Sequence, residues 1–311
     1  MRRITCGLAM MGFIGVMTAT AFGQDATKPA NGATSNGAST SPAPAQAEEP
    51  APAKRVTLTA GFDFVSAYMF RGIFQEDRGV IVPPFVDVGV TVYEGEGALK
   101  SVALNGGMWN SLHSGPSGSE TPNRSAWYEA DYYGSATFTI GKWKPGALFT
   151  SYTSPNDVFA TVHELAGVLA YDDSSSPFPL NPKAIVAFEL KGQADGGGGL
   201  PDGGSKGTYL ELGVRPVVKV IDAQKYPLSV AIPAKMGLSL NDYYEGPTGS
   251  NKFGYFDLGA IASVPLAFMN GRSTWEVHGG LDILWLGDNL KILNKDDGIK
   301  PVAVIGVSVT Y

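Results

Sequence analysis

The chain has 311 residues, of which 44% are hydrophobic and only 17% are charged, with 40 Gly, 13 Tyr, 15 Phe and a single Cys. A mean hydropathy of +0.01 excludes a helical membrane protein. The high Gly content speaks against a helix-rich fold. The net charge of -6 argues against a nucleic-acid partner, and one cysteine excludes a disulfide scaffold. These exclusions leave an all-β protein.

Residues 1–23 have the pattern of a cleavable secretory signal peptide. Arg2 and Arg3 give a positive start, residues 4–17 form a short apolar stretch, and residues 19–23 supply small side chains before a cleavage site. The apolar stretch is too short for a transmembrane anchor. Cleavage would also remove Cys6, which excludes thiol catalysis and disulfide bonds in the mature protein.

Residues 24–55 are predicted to be a disordered periplasmic tail rich in Pro, Ala and Ser. The segment has no periodic apolar face, so it cannot offset the entropy that ordering would cost. Two roles stay open for this tail: a flexible spacer, or a segment that associates with the cell wall.

From residue 56 onward, apolar and polar residues alternate with the period of β-strands. In the first segment the apolar parity starts at Val56 and continues through Tyr68 and Phe70, and the same pattern recurs along the chain. The predicted strands cover residues 56–70, 81–93, 99–109, 126–140, 146–152, 161–171, 183–191, 208–218, 227–240, 253–266, 274–286 and 300–311. Strands of about 10 residues with one apolar and one polar face suit a tilted crossing of a bilayer. A soluble sandwich or lipocalin-like barrel is the alternative, although its strands are commonly shorter.

The lengths of the predicted connections favour the membrane alternative. Twelve strands place both barrel ends on the periplasmic side, so connections after odd strands should be extracellular and long. Six connections fit, at residues 71–80, 110–125, 153–160, 192–207, 241–252 and 287–299. A tight turn is expected at 141–145, whereas 172–182 is longer than a simple periplasmic turn. We therefore predict a transmembrane antiparallel up-and-down β-barrel of about 12 strands over residues 56–311.

The last predicted strand has the features of an assembly signal. Ala303, Ile305, Val307, Val309 and Tyr311 share one parity, and the printed sequence stops on the aromatic residue. Bacterial outer-membrane barrels typically close with a strand that ends in Phe, Tyr or Trp, which the barrel-assembly machinery reads. Together with the signal peptide, this strand predicts export to the cell outer membrane. The expected partners are the lipid of that membrane and the assembly machinery.

The end of the first predicted strand resembles a known family. Residues 68–75 read Tyr-Met-Phe-Arg-Gly-Ile-Phe-Gln, which is similar to the Tyr-x-Phe-Arg-Gly-x-x-Gln signature of the TorF-type porins, a family of outer-membrane proteins. Residues 127–134 resemble the family's Glu-x-Asp-containing strand, and residues 207–211 resemble its Tyr-Leu-Glu segment. Phe74 departs from the family, where a small hydroxyl residue is common. The resemblance implies a barrel with a pore role and carries over no catalytic residue.

Candidate catalytic and metal-binding residues are few. Residues 163–167 begin like the zinc motif His-Glu-x-x-His, but Gly167 stands where the second His ligand is required. Ser263 and His278 on adjacent predicted strands are the one pair that would suit a lipid-modifying barrel enzyme. The Gly-rich segment at 196–204 precedes no helix and so does not indicate a phosphate site. Asp195, Asp202 and the segment 294–298 (Asn-Lys-Asp-Asp-Gly) are candidates for weak calcium binding. The segment lacks the distal Glu and the spacing of an EF-hand loop, so turn formation accounts for it better. We expect no enzyme activity, no metal and no cofactor.

The polar parity, which would point into the lumen, is where function is expected. Charges in a dry core would cost several kcal/mol each unless paired, so the lumen must be polar or wet. By count of the polar parity, the candidates are nine acids and five bases: Asp63, Asp87, Glu129, Asp131, Glu189, Glu211, Asp257, Glu276 and Asp282, with Arg71, Lys183, Lys191, Arg215 and Lys235.

Two arrangements of these charges stay open: a narrow aqueous path, or ion pairs that fill the lumen. The first predicts a porin or channel for passive passage of ions or small solutes, with a weak cation preference from the surplus of acids. The second predicts a non-conducting structural or adhesion barrel, and a lipid-modifying enzyme is the third hypothesis. Arg71 is expected near the outer mouth, where it would attract anions or pair with Asp87.

Overall fold

The computed structural model describes residues 55–115, 126–195, 204–223, 226–246, 249–266 and 273–311. The predicted signal peptide and the predicted tail up to residue 54 lie outside these ranges. In the described ranges nearly all regular structure is strand, and no helix there has the length and hydropathy needed to cross a membrane.

The described strands follow one another along the chain with a single short helix before the last strand. They are β1 (Val56–Val65), β2 (Tyr68–Phe70), β3 (Ile73–Glu76), β4 (Ile81–Val82), β5 (Pro84–Glu94), β6 (Leu99–His113), β7 (Trp127–Ile140), β8 (Trp143–Thr153), β9 (Val162–Tyr171), β10 (Lys183–Lys191), β11 (Thr208–Val214), β12 (Val217–Ile221), β13 (Leu228–Ala231), β14 (Ala234–Asn241), β15 (Phe253–Pro265), β16 (Thr274–Leu286) and β17 (Ile299–Thr310). The helix is α1 (Asp288–Leu293).

All strands except β2 and β3 form one antiparallel sheet in which neighbours along the chain are neighbours in space. The sheet closes because β1 pairs with β17 on one side and with β4 and β5 on the other. Phe62 lies opposite Val307, which in turn lies opposite Val277. The predicted fold is confirmed: the chain forms a transmembrane up-and-down β-barrel of 12 strands.

Proline divides three of the twelve barrel strands into two segments each. Pro83 separates β4 from β5, Pro216 separates β11 from β12, and Pro233 separates β13 from β14. A proline has no backbone N–H to give to the ladder, so the pairing is interrupted at each position. The carbonyl of Pro216 still accepts from the N–H of Ile232 at 2.9 Å, which holds the two broken strands together.

The two faces of the wall differ as a bilayer requires. Large apolar side chains on the outward face are exposed, among them Leu58, Phe62, Phe64, Val88, Leu104, Phe138, Phe149, Leu165, Phe188, Leu212, Leu258, Leu281 and Ile305. Polar and charged side chains on the inward face are buried, among them Asp63, Asp87, Glu129, Asp131, Thr150, Glu164 and Asp257. An apolar exterior around a polar interior is the arrangement of a membrane barrel, the reverse of a lipocalin-like barrel.

One connection differs from its sequence-based description and another agrees with it. The turn after β7 contains only Gly141 and Lys142, and Gly141 has a positive φ of 59°, so β8 begins at Trp143 rather than at 146. The longer connection at 172–182 is ordered by Asp173, whose carboxylate accepts from the backbone N–H groups of Leu180 at 2.7 Å and Asn181 at 2.9 Å. A single carboxylate that binds two backbone donors explains how this long turn keeps a fixed shape.

The prediction that the first strand runs to residue 70 is wrong. β1 ends at Val65, and the chain then forms a separate hairpin of β2 and β3, called here the inner hairpin (residues 68–76). Its turn has positive φ angles at Arg71 (45°) and Gly72 (81°), which a continuing strand cannot accommodate. Tyr68, Met69 and Phe70 are all buried, whereas a strand in the barrel wall would expose every second side chain.

Candidate functional site in the barrel lumen

The inner hairpin lies within the lumen and is held by the barrel wall on several sides. The side chains of Phe70 and Ile73 are 1% and 2% exposed, so almost no solvent reaches them. A side chain at Gly72 would place its Cβ 2.6 Å from Leu290 Cδ1 of α1. The glycine therefore serves both the left-handed turn and the close approach of the helix above it.

Arg71, at the tip of the inner hairpin, is bound by three elements of the barrel. Its Nη1 and Nη2 donate to the two carboxylate oxygens of Glu164 at 2.7 and 2.8 Å. Nη1 also donates to the Tyr243 hydroxyl at 2.6 Å, and the guanidinium carbon lies 4.0 Å from the centre of the Tyr209 ring. Burial on its own lowers the pKa of Arg71, but the Glu164 carboxylate and the Tyr243 hydroxyl raise it above its ordinary value. The guanidinium is therefore charged and fixed in direction.

The flanks of the hairpin bind β7 and β8. The Tyr68 hydroxyl donates to Glu129 Oε2 at 2.8 Å, and the Tyr128 hydroxyl donates to Gln75 Oε1 at 2.7 Å. The ring of Phe70 lies 5.8 Å from the ring of Tyr152, centre to centre. Each of these hairpin residues belongs to the Tyr-x-Phe-Arg-Gly-x-x-Gln pattern, so the pattern specifies a segment that fits inside the barrel.

The connections after β14 and β16 cover the hairpin from the outer side. The Tyr244 hydroxyl donates to the carbonyl of Arg71 at 3.0 Å, and Asn294 Nδ2 donates to the carbonyl of Gly72 at 2.9 Å. Lys295 reaches Asp77 at 3.5 Å, just past the hairpin. Side chains thus satisfy the turn's carbonyls, which the buried position requires.

A second polar layer lies beside the Arg71 contacts. Glu211 Oε2 accepts from the hydroxyls of Tyr209 at 2.8 Å and Tyr255 at 3.1 Å. Lys235 Nζ lies 3.1 Å from Asp257 Oδ2. Tyr209 therefore connects the two layers, because its ring contacts Arg71 while its hydroxyl binds Glu211.

Glycines make room for the tyrosine rings of these layers. An added Cβ at Gly237 would overlap the ring of Tyr255, and one at Gly254 would overlap the ring of Tyr244. Because these glycines have no side chain, the two tyrosine rings can lie directly against the inner face of the barrel. The high Gly and Tyr content of the sequence is thereby explained in part.

A third group of inward charges lies around the closing strands. His278 Nε2 and Asp63 Oδ1 are 2.8 Å apart, and they meet across Gly306, which is paired with both. Asp87 accepts from Asn105 at 2.8 Å and from the Tyr133 hydroxyl at 2.9 Å. Ion pairs and hydrogen bonds thus occupy much of the lumen.

The predicted lumen residues are distributed unevenly. Asp63, Asp87, Glu129, Asp131, Glu189 and Asp257 are buried, and Lys183, Glu211, Lys235, Glu276 and Asp282 are half-buried. Lys191 and Arg215 are exposed at the ends of their strands. Arg71 is inside the lumen, but it pairs with Glu164 and not with Asp87, because the hairpin carries it away from the strand on which it was predicted.

Four further buried residues lie at the lumen and were not among the predicted ones: Glu164, Tyr243, Tyr244 and Asn294. For Glu164 the signal was present, since it shares the inward parity of β9 with the buried Val162 and Ala166. His163 has the opposite parity and lies beside the outward-facing Phe149, 5.8 Å between ring centres. The two residues that open the zinc-like motif therefore point to opposite faces.

The other candidate sites can be placed as well. No group of three His, Cys, Asp or Glu side chains in the described ranges is arranged to hold a metal. Ser263 does lie directly opposite His278, but the imidazole Nε2 is engaged with Asp63.

The acidic candidates in the connections take part in turns. Asp195 accepts from the backbone N–H of Glu245 at 2.9 Å, and residues 196–203 lie outside the described ranges. Residues 294–297 form the turn that ends α1. The backbone N–H of Asn294 donates to the carbonyls of Leu290 and Lys291, and that of Asp297 donates to the carbonyl of Asn294.

Comparisons with known proteins give likenesses of fold only. No family model and no curated relative matches the sequence. The NanC porin is 12% identical over 81% of this chain and 98% of its own, with a TM-score of 0.38. The translocator domain of the autotransporter NalP from Neisseria meningitidis is 13% identical over 84% of this chain and 89% of its own, at 0.39. An outer membrane channel from Pseudomonas putida F1 is 8% identical over 85% of this chain and all of its own (100%), at 0.42. Because these sequence identities and TM-scores are low, the assignment of a barrel rests on the strand pairing of this chain alone.

Proposed function

We propose that this protein is a channel of the outer membrane for passive passage of ions or small solutes, with a weak preference for cations. The observation that carries the proposal is the set of buried, mostly acidic polar side chains on the inner face of a closed 12-strand barrel. A wall that serves only as a structural element has no need of so many inward charges, each of which is costly when desolvated.

In this proposal the inner hairpin sets the width of the path. The hairpin follows β1 in the chain, and its residues contact Glu129, Tyr152 and Glu164 on β7, β8 and β9 and Tyr209 on β11, so it extends from the seam of the barrel across the interior. Ions would pass beside the hairpin or when it is displaced. Small conductance steps are therefore expected, rather than those of a wide open porin.

The location and the family are proposed on the same basis. The signal-peptide pattern of residues 1–23 supports export, and the exposed apolar outer face supports insertion in the outer membrane. Tyr311 pairs with Leu58 through two backbone hydrogen bonds of 2.8 and 3.1 Å, at the seam that assembly must close. The three segments that resemble the TorF-type porins are joined through the inner hairpin, because Tyr68 contacts Glu129 and Arg71 contacts Tyr209, which supports membership of that family.

A non-conducting barrel of structural or adhesive role is the second candidate. The specific observation in its favour is the dense set of contacts that fixes the inner hairpin inside the lumen. Recording from the refolded protein in planar bilayers separates the two. The channel predicts discrete, small current steps that are absent from a mock-refolded sample. A silent membrane after verified insertion supports the structural barrel.

A further inference from the structure

The buried carboxylates of the lumen differ in the donors that the chain gives them. Glu164 receives the guanidinium of Arg71, and Glu211 receives two tyrosine hydroxyls. Asp131 is 0% exposed, and within the described ranges neither of its carboxylate oxygens has a hydrogen-bond donor. A carboxylate in this state is expensive, since burial removes its water and the group beside it is another carboxyl, that of Glu129, rather than an N–H or hydroxyl donor.

A second buried oxygen without a partner lies next to Asp131. Thr150 is 1% exposed, and its hydroxyl has no hydrogen-bond partner in the described ranges. Tyr152 is directly opposite Asp131 in the ladder, and Thr150 is two residues before it on the same inward face. Diagonal neighbours of this kind have Cβ atoms about 7–8 Å apart, which leaves room for an ion between two short side chains. Thr150 is also directly opposite Glu164.

The charge in this part of the lumen does not balance. Glu129, Asp131 and Glu164 are all at most 2% exposed, and Arg71 is the base bound among them. Glu129 receives the neutral hydroxyl of Tyr68, which stabilises the carboxylate without neutralising it. A further positive charge beside Asp131 would remove much of the repulsion and desolvation cost.

We propose that Asp131, Thr150 and Glu129 bind a monovalent inorganic cation, Na⁺ or K⁺, beneath the inner hairpin. Carboxylate and hydroxyl oxygens are the ligands of hard cations. The set holds two carboxylates rather than three or more acidic ligands, which suits one positive charge better than two. A proton shared between the carboxyls of Glu129 and Asp131 would relieve the repulsion of that pair, but it would leave the Thr150 hydroxyl without a partner. The site deepens the proposed function, because it lies on the inward face that cations would cross.

Cation-dependent stability tests the site without measuring any current. The refolded protein in detergent at pH 7.5 is heated in the chloride of Na⁺, K⁺ or the bulky N-methylglucamine cation at one ionic strength. The two inorganic cations should raise the unfolding midpoint saturably, by about 3–6 °C at tenfold the half-saturating concentration. Asp131→Asn and Thr150→Val should each abolish that rise. Asp131→Asn should also melt above wild type in N-methylglucamine, since it removes the unneutralised charge.

Asp87→Asn is the matched control, because Asp87 is a buried lumen carboxylate with two donors of its own. It should keep the full response to Na⁺ and K⁺. Equal midpoints for wild type in all three salts would overturn the proposal, as would a full response in both the Asp131 and Thr150 variants. A midpoint raised in N-methylglucamine by acidification alone, with no cation effect, would identify a proton instead. A barrel that shows the cation response but no current contradicts the channel and leaves the site intact.

Discussion

Arg71 and Glu164 are 93 residues apart in the chain and are joined inside the lumen by two hydrogen bonds of 2.7 and 2.8 Å. The pair connects the tip of the inner hairpin to β9. A bidentate Arg–carboxylate contact fixes both distance and angle, so this pair sets where the hairpin stands in the barrel. The mobility of the hairpin, and with it the proposed conductance, should depend on this contact first.

Breaking the pair from one side should destabilise the barrel and widen the path. Glu164→Gln or Arg71→Ala leaves an uncompensated buried charge or a cavity, with an expected cost of about 3–5 kcal/mol in the free energy of unfolding. Denaturant unfolding in detergent measures it. The double change Arg71→Met with Glu164→Leu should restore most of the loss. Arg78→Ala is the control, since the Arg78 side chain is 70% exposed and 3.8 Å from Glu76. A single-variant loss no larger than that of Arg78→Ala would contradict the assignment.

The turn of the hairpin should not tolerate a side chain at Gly72. Alanine there must adopt a φ of 81° and place its Cβ 2.6 Å from Leu290. Strain of this kind costs on the order of 1–3 kcal/mol. Gly97→Ala is the matched control, because its Cβ would meet no atom within 4 Å and its φ is not positive. Thermal midpoints of the two variants compare the positions, and equal values would show that the turn is not constrained.

Ion selectivity should follow the charges of the lumen. Replacing Glu129 by Gln and Asp131 by Asn removes two inward acids and should reduce cation preference, whereas Arg71→Gln should raise it. One wall charge at ~4 Å acts on a mobile ion with about 1 kcal/mol in water and ~4 at an effective dielectric of 20. Reversal potentials under a salt gradient report the change, and salt near 1 M should suppress it because the screening length falls to ~3 Å. Anion preference in wild type would contradict the proposal.

Assembly should depend on the aromatic residue at position 311. Removal of Tyr311 eliminates both backbone hydrogen bonds to Leu58 at the seam between β1 and β17. We expect less heat-modifiable protein in the outer-membrane fraction. Tyr311→Phe keeps the backbone bonds and an aromatic ring, so it should assemble as wild type does. Equal recovery of the deletion variant and the phenylalanine variant would show that the position carries no assembly signal.

The strands of the barrel wall were predictable because the alternation of side-chain direction along a strand is a local property of the sequence. A period of two places apolar side chains on one face, and Phe62 and Leu281 are exposed where that pattern puts them. The breaks at Pro216 and Pro233 were not predicted, since a proline interrupts the ladder without interrupting the apolar parity.

The lumen was predictable only in part. Parity predicted that Glu129 and Asp131 are inward residues, and both side chains are buried in the structure. The inner hairpin escaped prediction because Tyr68 and Phe70 continue the parity of β1, although their rings fill the interior and face no lipid. The pairing of Arg71 with Glu164 also could not be predicted from the sequence, because this contact depends on the closure of the whole barrel.

Single-channel recording of a variant in which a short Gly-Ser loop replaces residues 66–80 tests the central claim most directly. The inner hairpin is then absent, while β1 and β5 keep their pairing of Val56–Phe62 with Pro84–Val90. The account predicts small discrete steps for wild type and steps several-fold larger for the variant, with both proteins inserted to the same extent. Steps of equal size in the two proteins, or no current from either, would contradict a channel whose width the hairpin sets.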